Sequence, residues 1–183
     1  MTDVKYLLIV ITLLTVSWRY QETDDSSSIA LAIIGNKQAV VNNESVPYEQ
    51  RYSVDISELF KKSIEATLGQ DFVVDNYLSK EEIDFLTSDA EVAALKVQKT
   101  KTVLWKDILT PSENLSIHNP ENPKDSGAIA YALSAPLLST DGQFAFVYTI
   151  ISKDVDVAFG AIFFLKKENG TWKVLASFNQ WNS

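Results

Sequence analysis

The chain has 183 residues, a formal net charge of −8, one histidine and no cysteine. Without thiols it has no disulfide, no thiolate metal or iron–sulfur site, no cysteine nucleophile and no lipid-modified N-terminal cysteine. Its acidity opposes nucleic-acid binding, which requires a basic footprint, and its length predicts one domain able to bury about 70% of its unfolded surface.

Tyr6 to Trp18 is an apolar run without charge, preceded by Lys5 and followed by Arg19. A membrane span needs roughly 20 residues, so this run is too short for one, but it fits the apolar core of a signal peptide. Thr15-Val16-Ser17 places small residues at the two positions a signal peptidase inspects. Residues 1–17 therefore read as a signal peptide and predict an extracytoplasmic protein, periplasmic or secreted. An uncleaved membrane anchor and an ordinary buried element are the alternatives. Residues 18–28, polar from Tyr20 to Ser28, read as a flexible tether, and 29–183 as a single α+β domain.

Ile29 to Ile34 is a short apolar run compatible with a strand, and a polar loop surrounds Asn42-Asn43-Glu44. Asp55 to Leu68 has a helical stripe of Ile56, Leu59, Phe60, Ile64 and Leu68. Asp55 with Glu58 is placed to cap its start, and Gly69 to end it. Ser79 with Glu82 predicts a shorter helix through Ile83, Phe85 and Leu86, and Ser88 with Glu91 restarts it toward Leu95. Thr100 to Asp107 fits strand and helix equally. Asn114 to Gly127 holds two prolines, three asparagines and His118, and reads as a loop.

From Ala128 onward the pattern is four antiparallel strands. Asn169-Gly170 is suited to a two-residue type I′ turn, since both central residues need positive φ. That tip sets Leu165 opposite Val174, Phe163 opposite Ala176 and Ala161 opposite Phe178. A tip at Asp141-Gly142 sets Leu137 opposite Phe146, Ala135 opposite Tyr148 and Leu133 opposite Ile150. A four-residue loop over Lys153 to Asp156 sets Ile150 opposite Phe159 and Phe146 opposite Phe163. All of these side chains then share one face. Pro136, lacking an N–H, belongs on an edge strand or at a bulge. The other face, with Ala145, Val147, Ile151, Ile162 and Phe164, is too apolar to face water. Either N-terminal segments cover it, or it is a concave surface for a partner or small apolar ligand. The expected fold class is α+β: an antiparallel sheet, its C-terminal part a four-strand meander, with two or three helices packed on one face.

Signals for chemistry are weak. His118 stands in a proline-flanked loop, and no Gly-x-Ser-x-Gly elbow is present. One histidine and no cysteine leave carboxylates as the main metal ligands, and Asp154-Val155-Asp156 lacks the glycine and distal glutamate of an EF-hand loop. No phosphate-binding glycine loop or dinucleotide fingerprint occurs. Lys96, Lys99, Lys101 and Lys106 form the local basic cluster, read as a solvated face. Asn43, Asn114 and Asn169 lie in Asn-x-Ser/Thr sequons, relevant to a eukaryotic secretory route. No residue is assigned as catalytic, cofactor-binding or metal-ligating.

Phe144-Ala145-Phe146-Val147-Tyr148, the central Gly160, the run Ile162 to Val174 and the terminal Trp181-Asn182-Ser183 resemble the C-terminal third of a family of uncharacterised bacterial exported proteins. The chain departs from that pattern at Asn182, where isoleucine is usual, and in lacking that family's cysteines and extra glycines. The Gly170-Thr171-Trp172-Lys173 hairpin is also similar to the end of the NTF2-like fold, whose N-terminal helix packs on a curved sheet. These resemblances imply architecture and export but no site residue. The function expected is a non-catalytic exported binding or envelope-associated module for a protein or small apolar ligand, with no cofactor and no nucleic acid, touching a membrane only through an uncleaved N-terminal segment. A small NTF2-like enzyme with a sheet-lined pocket and an acidic inhibitor or immunity-type protein are the alternatives.

Overall fold

The computed structural model describes residues 25–48, 78–118, 128–154 and 157–182, the last five and Asp154 by backbone alone. The segments expected to be a signal peptide (1–17) and a helix (Asp55–Leu68), and most of the expected tether, lie outside these residues. Within them the fold is α+β, with a seven-stranded mixed sheet and four helices.

Helix α1 occupies residues 25–34. The run Ile29 to Ile34 is therefore helical rather than a strand, and residues 25–28 are helix rather than tether. The reason lies in spacing: Ile29, Ala30, Ile33 and Ile34 fall at i, i+1, i+4 and i+5, on one buried face, while Leu31 turns outward. Gly35, at φ +64°, donates to the Leu31 carbonyl and ends the helix in the left-handed conformation. Strand β1 follows at Ala39–Asn42.

Helix α2, Lys80–Leu86, starts with a full capping box. The Ser79 N–H donates to the Glu82 carboxylate at 2.8 Å, and the Glu82 N–H donates to Ser79 Oγ at 3.2 Å. Helix α3, Asp89–Gln98, is capped by Ser88, whose Oγ accepts from the Glu91 N–H. The ambiguous stretch before Asp107 resolves into one helical turn, α4, Trp105–Ile108. Strand β2, Leu115–His118, then occupies the start of the segment expected to be a loop. The remaining strands are β3 Ile129–Leu133, β4 Leu137–Leu138, β5 Phe144–Asp154, β6 Val157–Glu168 and β7 Thr171–Asn182.

The lane order is β2-β1-β3-β5-β6-β7, with β4 continuing β3 alongside β5. The sheet is not purely antiparallel, because β1 runs parallel to both β2 and β3. Those long-range pairings join strands separated by helices, which local sequence pattern does not encode.

The four-strand meander is present, but its lanes are offset by bulges. Leu137 faces Phe146 as expected, whereas Leu133 faces Thr149 rather than Ile150. The extra residue sits where the lane breaks at Ser134-Ala135-Pro136. There the Ser134 N–H donates to the Tyr148 carbonyl, and the Tyr148 N–H donates to Ser134 Oγ at 3.0 Å. A side-chain hydroxyl thus takes an acceptor position in the ladder, ahead of a proline that has no N–H to offer.

Between β5 and β6, Ser152 faces Ala158 and Asp154 faces Val157, so Lys153 is the additional residue. Phe146 consequently pairs with Phe164, and Ile150 with Gly160, in place of Phe163 and Phe159. The one-residue slip exchanges faces along all of β6. At the last hairpin, Asn169 at φ 50° and Gly170 at φ 79° give the expected turn, and Leu165 faces Val174. Leu175 is then bulged, so Phe163 faces Ser177 and Ala161 faces Asn179.

Both faces of the sheet are filled, so helices lie on both sides rather than one. On one side Ala145, Val147, Ile151 and Leu165 pack with Ile29, Ile33 and Ile34 of α1, and with Trp105, Leu109 and Trp172. On the other, Phe144, Phe146, Tyr148, Ile162 and Phe164 pack with Leu86, Leu95 and Tyr48. Phe164 stacks between Phe144 and Phe146, with ring centroids 5.9 and 4.7 Å away. Putting β5 out of step with the expected β6 register is what gives each layer its own aromatic set.

Candidate functional site

Several polar side chains of the described residues hold elements together. Glu91 is 2% exposed. Its Oε1 accepts from the Thr140 N–H at 2.9 Å and its Oε2 from Thr140 Oγ1 at 2.5 Å. A capping-box glutamate would reach back to its own helix; this one instead caps the β4–β5 turn. Two helical turns on, the Gln98 amide donates to the Leu138 carbonyl at 2.8 Å and accepts from its N–H at 3.0 Å. That reciprocal pair imitates a neighbouring strand along the edge of β4. Glu91, Leu95 and Gln98 stand at i, i+4 and i+7, so one face of α3 carries a carboxylate clamp, a core leucine and an edge cap.

Asp25 forms a second clamp. Its Oδ1 accepts from Lys167 Nζ at 2.6 Å and from the Trp172 indole at 3.0 Å, tying α1 to the last hairpin. Lys167 also lies over the Trp172 ring, 5.3 Å from its centroid. Glu82 pairs with Lys166 at 2.8 Å, and Glu168 with Lys173 at 2.6 Å. The hydrogen bond from Lys173 lowers the Glu168 carboxyl from its ordinary range, while burial raises the Tyr131 phenol.

His118 stands at the end of β2, its backbone paired with Asn42. No group of three or more His, Asp or Glu able to hold a metal occurs among the described residues. None of their helices is long and apolar enough to cross a membrane. Thr149 Oγ1 and Asn43 Oδ1 are buried without a hydrogen-bond partner.

A cleft of about 620 Å³ opens among the described residues where the β3–β4 break meets the segment leading into α4. Its apolar lining comes from Val103, Leu104 and Ile108 on one side and Ala135, Pro136 and Leu138 on the other. Ser26, Lys101, Thr102 and Asp107 supply the polar lining. The segment wall is fixed to the strand-like stretch after β1. The Ser45 N–H donates to the Val103 carbonyl, the Val103 N–H to Ser45 Oγ, and the Trp105 N–H to the Asn43 carbonyl. Buried Trp105 adds an indole bond to the Leu133 carbonyl at 3.2 Å, anchoring the wall to β3. Leu104, next to it, is left 42% exposed.

Pro136 was expected on an edge strand or at a bulge, but the cleft was not foreseen, because its walls lie about thirty residues apart in sequence. Of the basic cluster, Lys101 lines the cleft, while Lys99 lies over the Tyr48 ring at 5.9 Å. Comparison of the chain with protein-family models, with curated proteins and with solved structures found no match.

Proposed function

We propose that the chain is a non-catalytic, exported binding module whose ligand occupies the cleft between the α4 wall and the β3–β4 break. The observation that carries this reading is the mixed lining of that cleft on a wall fixed by four hydrogen bonds. A preformed concavity with an apolar body and a few polar groups favours binding over chemistry. Glu91, the carboxylate buried among the described residues, belongs to a turn clamp and does not line the cleft. Catalysis requires an acid, base or nucleophile oriented toward substrate, and the ion pairs of Asp25, Glu82 and Glu168 serve to join elements instead. A sheet-lined enzyme pocket has less support, because both faces are packed with side chains.

Export rests on the run from Tyr6 to Ser17, and N-terminal sequencing of protein recovered from a native host tests it. A mature chain beginning near Trp18 is expected; intact Met1 in a soluble cytoplasmic fraction would overturn it. Binding is tested by following backbone amides of isotope-labelled protein against a library of metabolite-sized compounds. Shifts should concentrate in residues 101–108 and 135–138. Saturable shifts confined to other elements, or none, would refute the cleft as the site.

A further inference from the structure

We infer that the cleft accepts an uncharged, amphipathic small molecule, an inference resting on the binding reading above. Among the described residues that line it, the ionisable ones are Lys101 and Asp107, and their charges are opposite. A charged ligand would give up hydration on entry and meet no net countercharge, so desolvation opposes it. An anion also approaches a chain carrying −8 overall, which repels it at long range.

An apolar molecular body has matching surface on both walls, Val103, Leu104 and Ile108 against Ala135, Pro136 and Leu138. Leu104 is the large hydrophobic side chain left 42% exposed there, and covering it supplies part of the driving force. Hydroxyl or amide groups on the ligand find the hydroxyls of Ser26 and Thr102 as partners. Ser26 is buried and rides on α1, which Asp25 anchors to the last hairpin, so this polar group is held in place rather than recruited. The cleft volume of about 620 Å³ falls within the usual small-molecule range.

The test titrates the full chain with two fluorescent probes of similar size, neutral N-phenyl-1-naphthylamine and anionic anilinonaphthalene sulfonate. The neutral probe should bind saturably, one molecule per chain, and at least about tenfold more tightly than the sulfonate. Leu104→Arg, at a partly exposed position, should weaken the neutral probe by about tenfold or more. Thr102→Trp, at an exposed position in the same wall, should do so by filling the space. Val97→Arg, 77% exposed on α3 and not among the residues lining the cleft, should change nothing. Equal or tighter binding of the sulfonate, lost in both cleft variants, would overturn the ligand class and leave the site standing. Absence of saturable binding by either probe, or binding insensitive to both cleft variants, would overturn the inference; the amide-shift experiment then decides separately whether the cleft binds at all.

Discussion

Replacing Glu91 with alanine removes both acceptors from the β4–β5 turn and leaves a cavity beside Leu95. Thr140 itself is exposed, so water can reach its N–H and hydroxyl once the carboxylate is gone. The loss is therefore that of two bonds to a charged acceptor, each worth about 1.5–3 kcal/mol, less what rehydration returns. A destabilisation of about 3 kcal/mol is expected, or roughly 6–12 °C in melting temperature for a chain of this size. Glu91→Gln keeps the acceptor for the Thr140 N–H and should cost about 1 kcal/mol. Thr140→Ala removes the partner hydroxyl, and the Glu91→Ala/Thr140→Ala double mutant should lose less than the sum of the single mutants. Chemical denaturation of the four proteins measures the coupling. Additive losses, or a Glu91→Ala protein that melts like the parent, would refute the clamp. Ligand binding lost in Glu91→Gln at unchanged stability would instead place Glu91 in the functional site.

Gly170→Val should destabilise by about 1–3 kcal/mol purely through backbone strain, since φ is +79° and a Cβ there meets no atom within 4 Å; an unchanged denaturation midpoint would show that the turn relaxes. Trp172→Ala should cost about 3–5 kcal/mol, the ring being 3% exposed, and Trp172→Phe less, because it sacrifices chiefly the indole bond to Asp25. Thr149→Val should raise stability by about 1 kcal/mol in denaturant titrations, as it removes a buried hydroxyl without a partner; a loss would mean that the hydroxyl is satisfied. Tyr131 titrates above its ordinary value when folded, so the unfolded chain releases that proton first as pH rises. Stability should be unaffected by this group below pH of about 10 and fall progressively above it, and Tyr131→Phe should flatten that alkaline decline.

Local geometry was legible wherever a residue type dictates its own backbone or supplies its own cap. Ser79 with Glu82 marked the start of α2, Ser88 that of α3, and Asn169-Gly170 the last turn, because each depends on partners within four residues. Alternation along β5 also placed Phe146, Tyr148 and Ile150 together on one face and Ala145 with Val147 on the other, since a strand's side-chain period is fixed by its pleat. What set the register between neighbouring strands was not legible. Lys153 and Leu175 are bulged, and Ser134 Oγ enters the ladder, in response to the packing of whole layers rather than to any dipeptide signal. The apolar run before Gly35 could satisfy either period until the sheet offered α1 a face to cover. Parallel pairing of β1, the reach of Glu91 to Thr140 and the meeting of residues 101–108 with 135–138 all join distant parts of the chain. The sequence by itself determined the caps, turns and strand periodicity, which are short-range consequences of φ, ψ and hydrogen-bond reach. Tertiary structure alone decided register, strand direction and the cleft, because those depend on which long-range arrangement buries both faces of the sheet at once.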